Sequence, residues 1–288
     1  MNILTPTKPA LKIPVFKIRA SSASEILAGK IGLTDVQTAK LKELQQRKTD
    51  AANGVPKISP LTANMEKELE GLIYKKANPE LPKTAKTYCE KWIKEQLYDR
   101  RKNFTSKYTD KGTQCEDGSI TFAAEYYGWG DVEKNEEWFE DDYFQGTPDI
   151  ITASIVRDMK NVWDCFTLPL FDDKIPNEGY ETQLQVYMHL TGITEAELVY
   201  SLMSAPLNVM EREMKSLSWE QGQRGLITDD IRQTIKREMS YDDVAPELRL
   251  KAFKIDFNQL TIEELKMRVD MCREYITNVL AKKVTALN

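Results

Sequence analysis

The stretch GTPDIITASIVRDMK, residues 146–160, indicates how the chain folds. β-Branched and apolar residues fill both of its halves, which is typical of two short strands that meet at a turn. In a two-residue hairpin at Ala153-Ser154, residues at equal distances from the turn face each other, so Asp149 lies opposite Asp158. Lys160 then shares the sheet face of Asp158. A longer loop with a looser register stays open, because neither turn residue favours positive φ.

The two opposed carboxylates indicate a metal site. Two carboxylates that face each other across a ladder repel, and a cation between their oxygens offsets that cost. A hard divalent ion held by carboxylates beside a lysine is the minimal equipment for metal-assisted hydrolysis of a phosphodiester. A single Asp-x-Lys triplet usually marks solvated residues. Pro148-Asp149 precedes Asp158 by nine residues on the same predicted strand pair, which makes a site the favoured interpretation.

Composition places the chain among ordinary globular proteins. It has 288 residues, of which 41% are hydrophobic and 30% charged. This length allows one large core or two modest domains. We expect a cytoplasmic protein with no membrane partner, because no apolar run approaches the roughly 18 residues of a membrane span. Prolines and lysines also interrupt the N-terminal residues, where a signal peptide would be apolar.

Cysteine and histidine usage excludes several classes of site. The cysteines lack a C-x-x-C pair, which argues against a zinc ribbon or a clustered iron–sulfur site and fits reduced, buried thiols. They are Cys89, Cys115, Cys165 and Cys272. His189 is the single histidine, expected near the end of a helix in a packing or capping role. Chemistry must therefore depend on carboxylates, lysine and metal.

Charge is distributed unevenly. The net charge of −5 does not suggest a nucleic-acid binder, although only the local field over a groove matters. Residues 1–24 contain four basic residues and no acid, and a second basic segment covers residues 94–111. The acidic run over residues 131–142 is interpreted as a solvated edge or hairpin.

The N-terminal residues suggest an arm and a short helix. Prolines favour an extended arm over residues 1–20. Ser22 and Glu25 have capping-box spacing, so a helix is expected to begin there. Arg19, with Ser21 and Ser22 at this helix N-terminus, could hold a phosphate. An ordinary N-cap beside a solvated arginine is equally expected.

Two further helices carry candidate site residues. A helix over residues 111–127 places Glu116 at the edge of its buried face, where a metal shared with Asp149 would give this carboxylate a partner. Without a metal, Glu116 would be a surface acid. On a helix from Tyr180 to Leu190, Gln183 and Tyr187 are i,i+4 neighbours. They would donate hydrogen bonds to phosphate oxygens or water, or be ordinary helix residues.

The remaining C-terminal part of the chain is predicted to be mostly helical, with one further strand. Residues 197–203 are typical of a core strand. The last helix is expected to begin at the capping box of Thr261 and Glu264, and its apolar residues follow coiled-coil spacing. These residues are expected to pack on their own domain, with a subunit interface as the alternative. They are Ile262, Leu265, Val269, Cys272, Ile276 and Val279.

Four segments resemble, in their order, the lambda-type, YqaJ-like exonucleases of phages, a branch of the PD-(D/E)XK nuclease superfamily. They are KYTDKGTQCED, KNEEWFEDDYFQGTPDII, VRDMKNVWDCFTLPLF and YETQLQVYMHLTG. By this resemblance, the metal ligands are Glu116, Asp149, Asp158 and the backbone carbonyl of Met159. Lys160 would orient or deprotonate the attacking water.

The resemblance extends to the groups around this centre. Gln183 and Tyr187 match the family's Q-x-x-x-Y motif. RASSASEILAG, which contains Arg19, Ser21 and Ser22, matches a segment that binds phosphate.

The resemblance also implies a fold and a reaction. The fold would be α/β, a mixed central sheet flanked by helices with extra N- and C-terminal helices, as a single nuclease domain over residues 1–288. Within it, a helical part (21–105), a catalytic core (106–206) and a helical C-terminal part (207–288) would follow the arm.

Mg²⁺ or Mn²⁺, expected as two ions, would support 5′ to 3′ degradation of one strand of linear double-stranded DNA. The product would serve a single-strand annealing protein in recombination, and a homotrimer is possible by resemblance. Two alternatives stay open: an endonuclease of the same superfamily, and a DNA-binding or assembly protein without turnover.

Overall fold

A computed structural model describes residues 13–101 and 106–285, with side chains up to residue 282. The described residues form two compact units. One consists of residues 13–16, 25–100 and 264–285, and the other of residues 17–24, 101 and 106–263. Compact units arise within one domain as well as between domains, so the single domain stays a prediction. Residues 1–12 of the predicted arm lie outside the described residues.

The described residues contain α-helices, β-strands and two short 3₁₀ turns. The helices are α1 (Ala23–Leu27), α2 (Asp35–Ala52), α3 (Ala63–Ala77), α4 (Lys83–Tyr98), α5 (Lys107–Tyr127), α6 (Glu178–Thr191), α7 (Leu207–Glu220), α8 (Asp229–Met239) and α9 (Gln259–Thr285). The strands are β1 (Ile18–Arg19), β2 (Phe139–Glu140), β3 (Phe144–Gly146), β4 (Ile150–Ile151), β5 (Ile155–Asn161), β6 (Glu195–Ser201) and β7 (Leu250–Asp256). The 3₁₀ turns are Ala20–Ser22 and Pro246–Leu248.

The first unit is helical. The side chain of Thr34 accepts a hydrogen bond from Gln37 N in a capping box that begins α2. α2 and α3 pack through a small leucine core made of Leu41, Leu44, Leu69 and Leu72. Helix α9 begins at Gln259, two residues before the predicted Thr261, because Asn258 Oδ1 accepts hydrogen bonds from the first amides. Five of its six predicted seam residues are buried, as expected for packing within the monomer.

The second unit is built on a four-stranded sheet in the order β4-β5-β6-β7. β5 and β6 are parallel, and both outer pairs are antiparallel, so the sheet is mixed. Helices α5 and α6 both pack against β5. Met159 lies in one core with α5, whereas Asp158 bonds to Gln183 of α6, so the helices cover opposite faces. The predicted α/β architecture is confirmed.

Strands β1, β2 and β3 form a second, smaller sheet. Its order is β1-β3-β2, with β1 parallel to β3 and β2 antiparallel to it. β2 and β3 form a short hairpin at the end of the acidic 131–142 run, one of the two forms expected for that run.

Strand β7 lies in the C-terminal third and was not predicted. Leu250 belongs to the core on the α5 side, while Phe253 and Ile255 are buried on the other face. Phe253, Lys254, Ile255 and Asp256 are buried and exposed in turn, and this alternation was the strand signal that was missed.

No helix among the described residues is long and apolar enough to cross a membrane. Cys89, Cys115 and Cys272 are buried free thiols, but Cys165 is exposed, so the expectation of four buried thiols was wrong for that residue.

Candidate active site at the β4–β5 hairpin

The hairpin between β4 and β5 has the predicted register. Ile150 pairs with Arg157 and Ile151 with Val156, and Thr152 N donates to Ile155 O at 3.0 Å. The turn is therefore Ala153-Ser154. Neither turn residue has a positive φ. Instead, the hydroxyl of Thr152 donates to Ile155 O and accepts from Ile155 N, and this side chain closes the turn.

Asp149 and Asp158 face each other at the next position of this register. Met159 N donates to Asp149 Oδ2 at 2.7 Å, which joins the acid on one strand to the backbone of the other. Asp158 is only 2% exposed. The hairpin thus places two carboxylates in a region from which water is largely excluded.

Lys160 and Gln183 hold Asp158 from two sides. Lys160 Nζ lies 2.5 Å from Asp158 Oδ2 in an ion pair, although this oxygen accepts no hydrogen bond of good geometry. Gln183 Nε2 donates to Asp158 Oδ1 and to the Tyr187 hydroxyl, both at 3.0 Å. The predicted Gln183–Tyr187 pair is therefore part of the cluster.

Tyr180 is a member of the cluster that the sequence analysis missed. Lys160 Nζ lies 4.7 Å from the centre of its ring, a cation–π contact. Tyr180 precedes Gln183 by three residues and Tyr187 by seven, so all three share one face of α6. This spacing was the signal that could have identified it.

Glu116 of α5 is paired with a lysine that no sequence pattern indicated. Lys134 Nζ lies 3.1 Å from Glu116 Oε2 and 3.8 Å from Asp117 Oδ1. Glu116 is near enough to both aspartates to raise the pKa of each by repulsion. The structure therefore brings Glu116 to the aspartates, as predicted, but with Lys134 as its partner.

Burial governs the protonation of the cluster. Burial, followed by repulsion from Asp158, raises the pKa of Asp149 from 3.8 to about 7. Burial also raises the pKa of Asp158. Burial alone would lower the pKa of Lys160, but attraction to Asp158 outweighs it and the pKa is raised. Lys160 is therefore held as an ammonium beside acids that resist ionisation.

The donor chemistry of this cluster fits a hard divalent ion. The candidate ligands are carboxylate oxygens, the type that Mg²⁺ and Mn²⁺ prefer. Asp158 Oδ2 is buried with the Lys160 ammonium as its partner, and Asp149 is destabilised as an anion. Among the described residues, no three His, Cys, Asp or Glu side chains are gathered closely enough to hold a metal in this arrangement. Metal ligation by these acids and by the Met159 carbonyl stays a prediction.

The candidate phosphate-binding residues near the N-terminus lie on and beside a turn that packs near this site. Arg19 ends β1, paired with Gln145, and Ala20–Ser22 form a 3₁₀ turn. Helix α1 begins at Ala23, directly after Ser22, as predicted, and the chain enters it through this turn. The turn packs on α6 and on β3, and β3 leads into Pro148-Asp149. Ser21 is exposed and Ser22 half-buried.

His189 lies in the last turn of α6 and has a packing role, as predicted. Its Nε2 lies 3.0 Å from Asp141 Oδ2, and its ring contacts Phe144 edge-on. Asp141 also accepts hydrogen bonds from the amides of Tyr143 and Phe144. This acid of the 131–142 run therefore stabilises a turn.

The sheet is mixed, helices cover both of its faces, and Pro-Asp and Asp-x-Lys lie at the neighbouring strands β4 and β5. Solved structures with this fold are similar to the chain over nearly its whole length. A phage related exonuclease from Haemophilus somnus 129PT is 20% identical with a TM-score of 0.64, covering 94% of this chain and 97% of that one.

The alkaline exonuclease LHK-Exo from Laribacter hongkongensis is 12% identical with a TM-score of 0.52, covering 94% of this chain and 95% of that one. LHK-Exo in complex with dAMP is 11% identical with a TM-score of 0.54 and the same coverage. No family model and no curated protein matches the chain. At these identities the similarity establishes the fold: the chain folds as these exonucleases do.

Proposed function

We propose that the protein is a metal-dependent deoxyribonuclease that degrades one strand of linear double-stranded DNA from a free end. The supporting observation is the buried Asp149–Asp158 pair with Lys160 and Gln183, on the fold of the phage related and alkaline exonucleases. One of those structures is a complex with the deoxynucleotide dAMP, which supports DNA as the substrate.

Mg²⁺, or Mn²⁺ in its place, is the proposed cofactor, expected as two ions. Glu116, Asp149, Asp158 and the Met159 carbonyl would hold it. When bound, it would polarise the scissile phosphodiester as a Lewis acid. Its charge would also relieve the repulsion among the three carboxylates.

Lys160 orients the attacking water in this proposal. Its pKa is raised by Asp158, so in the metal-free protein it is an ammonium that donates hydrogen bonds. Gln183 fixes the Asp158 carboxylate through Oδ1, and the Tyr187 hydroxyl accepts the second N–H of the same amide. The side chains from α6 thereby fix one rotamer of Asp158, a requirement for accurate placement of the reacting groups.

The strand end is proposed to bind at the N-terminal turn. Arg19, Ser21 and Ser22 would hold a terminal 5′ phosphate, which gives the 5′ to 3′ direction. The absence of acids from residues 1–24 supports anion binding there. By resemblance, a single-strand annealing protein would receive the product strand, and the enzyme would assemble as a homotrimer.

Digestion of matched linear and closed circular duplexes with Mg²⁺ tests the proposal. With either strand end-labelled, we expect early loss of the 5′ label from linear DNA, intact circles and no reaction with a chelator. Cutting of circles would favour the endonuclease alternative. DNA binding without cleavage in Mg²⁺ or Mn²⁺ would favour the non-enzymatic alternative.

A further inference from the structure

Lys134 lies at the carboxylate cluster. It belongs to the irregular stretch between α5 and β2, and its ammonium is 3.1 Å from Glu116 Oε2. It also lies 3.8 Å from Asp117 Oδ1, and its charge is attracted by Asp149. A lysine in this position provides positive charge where a divalent ion is proposed to bind.

The backbone beside Lys134 is fixed to the Pro-Asp motif. Asn135 N donates to Asp149 O at 2.7 Å, and Asn135 Nδ2 donates to Pro148 O at 3.0 Å. The same side chain donates to Glu137 O and accepts from Glu137 N. These hydrogen bonds hold the irregular stretch in place, so the backbone at Lys134 is fixed close to Asp149.

Two lysines offset the charges of three acids. Lys160 is paired with Asp158, Lys134 with Glu116, and Asp149 accepts the Met159 amide. Each of the three carboxylates therefore has a different partner in the structure.

We propose that Lys134 is the counter-ion of Glu116 in the metal-free protein, and that a divalent cation binds by displacing this ammonium from Glu116. The inference rests on the proposed function, because it assigns Glu116 to the metal. It follows that Lys134 lowers the affinity for metal. The pair is partly exposed, 38% for Lys134 and 24% for Glu116, and such a pair is equivalent to a factor of up to about five in affinity.

Calorimetric titration of Lys134→Met with Mn²⁺ or Mg²⁺, without DNA, tests the displacement. We expect binding tighter than wild type by up to about fivefold and a larger metal-induced rise in melting temperature. Lys134→Arg keeps the ion pair and should bind as wild type does. Lys40→Met is the matched control, because Lys40 is 35% exposed and paired with Glu43 at 2.9 Å on α2. It removes the same charge elsewhere and should leave metal affinity unchanged.

A double-mutant cycle with Glu116→Gln distinguishes displacement of the Lys134 ammonium from Glu116 from a general effect of the lysine charge on the site. Glu116→Gln should weaken metal binding, and adding Lys134→Met to it should change the affinity less than twofold. Wild-type affinity in Lys134→Met, or weaker binding, overturns the inference while the proposed metal dependence stands. An equal gain in the Glu116→Gln background also overturns it. Absence of metal binding by the wild type overturns both proposals.

Discussion

Asp149 and Asp158 face each other, yet the structure compensates their charges differently. Asp158 faces the ammonium of Lys160 at 2.5 Å and accepts the amide of Gln183 at 3.0 Å. Asp149 accepts the neutral N–H of Met159. Burial and repulsion from Asp158 raise the pKa of Asp149 to about 7, and burial also raises the pKa of Asp158. The opposed acids could be predicted from strand alternation alone, but this asymmetry depends on α6.

Metal-free Asp149→Asn should be more stable than wild type at pH 8. Between pH 4 and 7 the folded wild type keeps a proton on Asp149 that the unfolded chain releases, so its stability falls as pH rises through this window. The difference between 3.8 and about 7 corresponds to at most about 4 kcal/mol, reduced by coupling to Asp158. Denaturant unfolding in chelator at pH 4 and pH 8 measures it.

The control for this pH experiment is Asp117→Asn, because the Asp117 side chain is 88% exposed. It should follow the wild-type stability at both pH values. A parallel loss of stability with pH in wild type and Asp149→Asn would contradict the raised pKa of Asp149.

Asp158→Asn should have the opposite effect on metal-free stability. It leaves the Lys160 ammonium without its ion-pair partner, and breaking a buried pair costs about 3–5 kcal/mol. Because the Lys160 side chain keeps 22% exposure, we expect a smaller loss of about 2 kcal/mol. Adding Lys160→Met should recover part of it. Melting curves of wild type, Asp158→Asn, Lys160→Met and the double variant give the coupling energy between the two side chains. A coupling energy of zero would contradict the ion pair.

At the scale of elements, the hairpin and α6 depend on the close approach of β3. A Cβ at Gly146 would lie 2.8 Å from Tyr187 Cε1 and 3.1 Å from Ala20 Cβ. Gly146 thus lets β3 pass between the N-terminal turn and the helix that carries Gln183. The sequence indicated α6 as a helix from Tyr180 to Leu190, and the hairpin through the β-branched and apolar residues of its two halves. It gave no sign of this contact, because a glycine before Thr-Pro reads as loop.

Gly146→Ala should destabilise the protein by about 1–3 kcal/mol, the cost of overpacking. It should also lower nuclease activity, because Tyr187 must move and Gln183 depends on its hydroxyl. Gly112→Ala is the matched control: it lies in α5 with open space around an added Cβ, and should stabilise by about 0.5–1 kcal/mol. Thermal melting and cleavage rates of both variants check this, and equal stability of both would refute the steric argument.

At the scale of the whole molecule, the sequence predicted the features that follow from local rules, and it missed most of those that depend on tertiary packing. Side-chain alternation gave the β4–β5 register, and helical spacing gave Gln183 beside Tyr187. Lys134 lies on a stretch without periodicity, so no local rule could place it over Glu116. β7 was a different kind of miss, because the alternation of buried and exposed side chains over Phe253–Asp256 is a local strand signal.

The last prediction concerns how the molecule would recognise a DNA end. If Arg19 holds a terminal 5′ phosphate, Arg19→Ala should slow digestion of 5′-phosphorylated duplexes at least several-fold and affect 5′-hydroxyl duplexes much less. The salt dependence of binding should also weaken by one phosphate contact, about 0.9 in the log–log slope. Initial rates on both end chemistries at one ionic strength measure the first effect, and a salt titration of binding measures the second.

Arg232→Ala is the control for Arg19→Ala, because Arg232 is 60% exposed beside Asp229 on α8 and its loss changes the net charge equally. It should leave the preference for phosphorylated ends intact. A proportional loss on both end chemistries in Arg19→Ala would mean that Arg19 contributes general attraction to the DNA backbone. The 5′ to 3′ direction would then need another origin, because a site that cannot distinguish a phosphate end cannot select the strand that it enters.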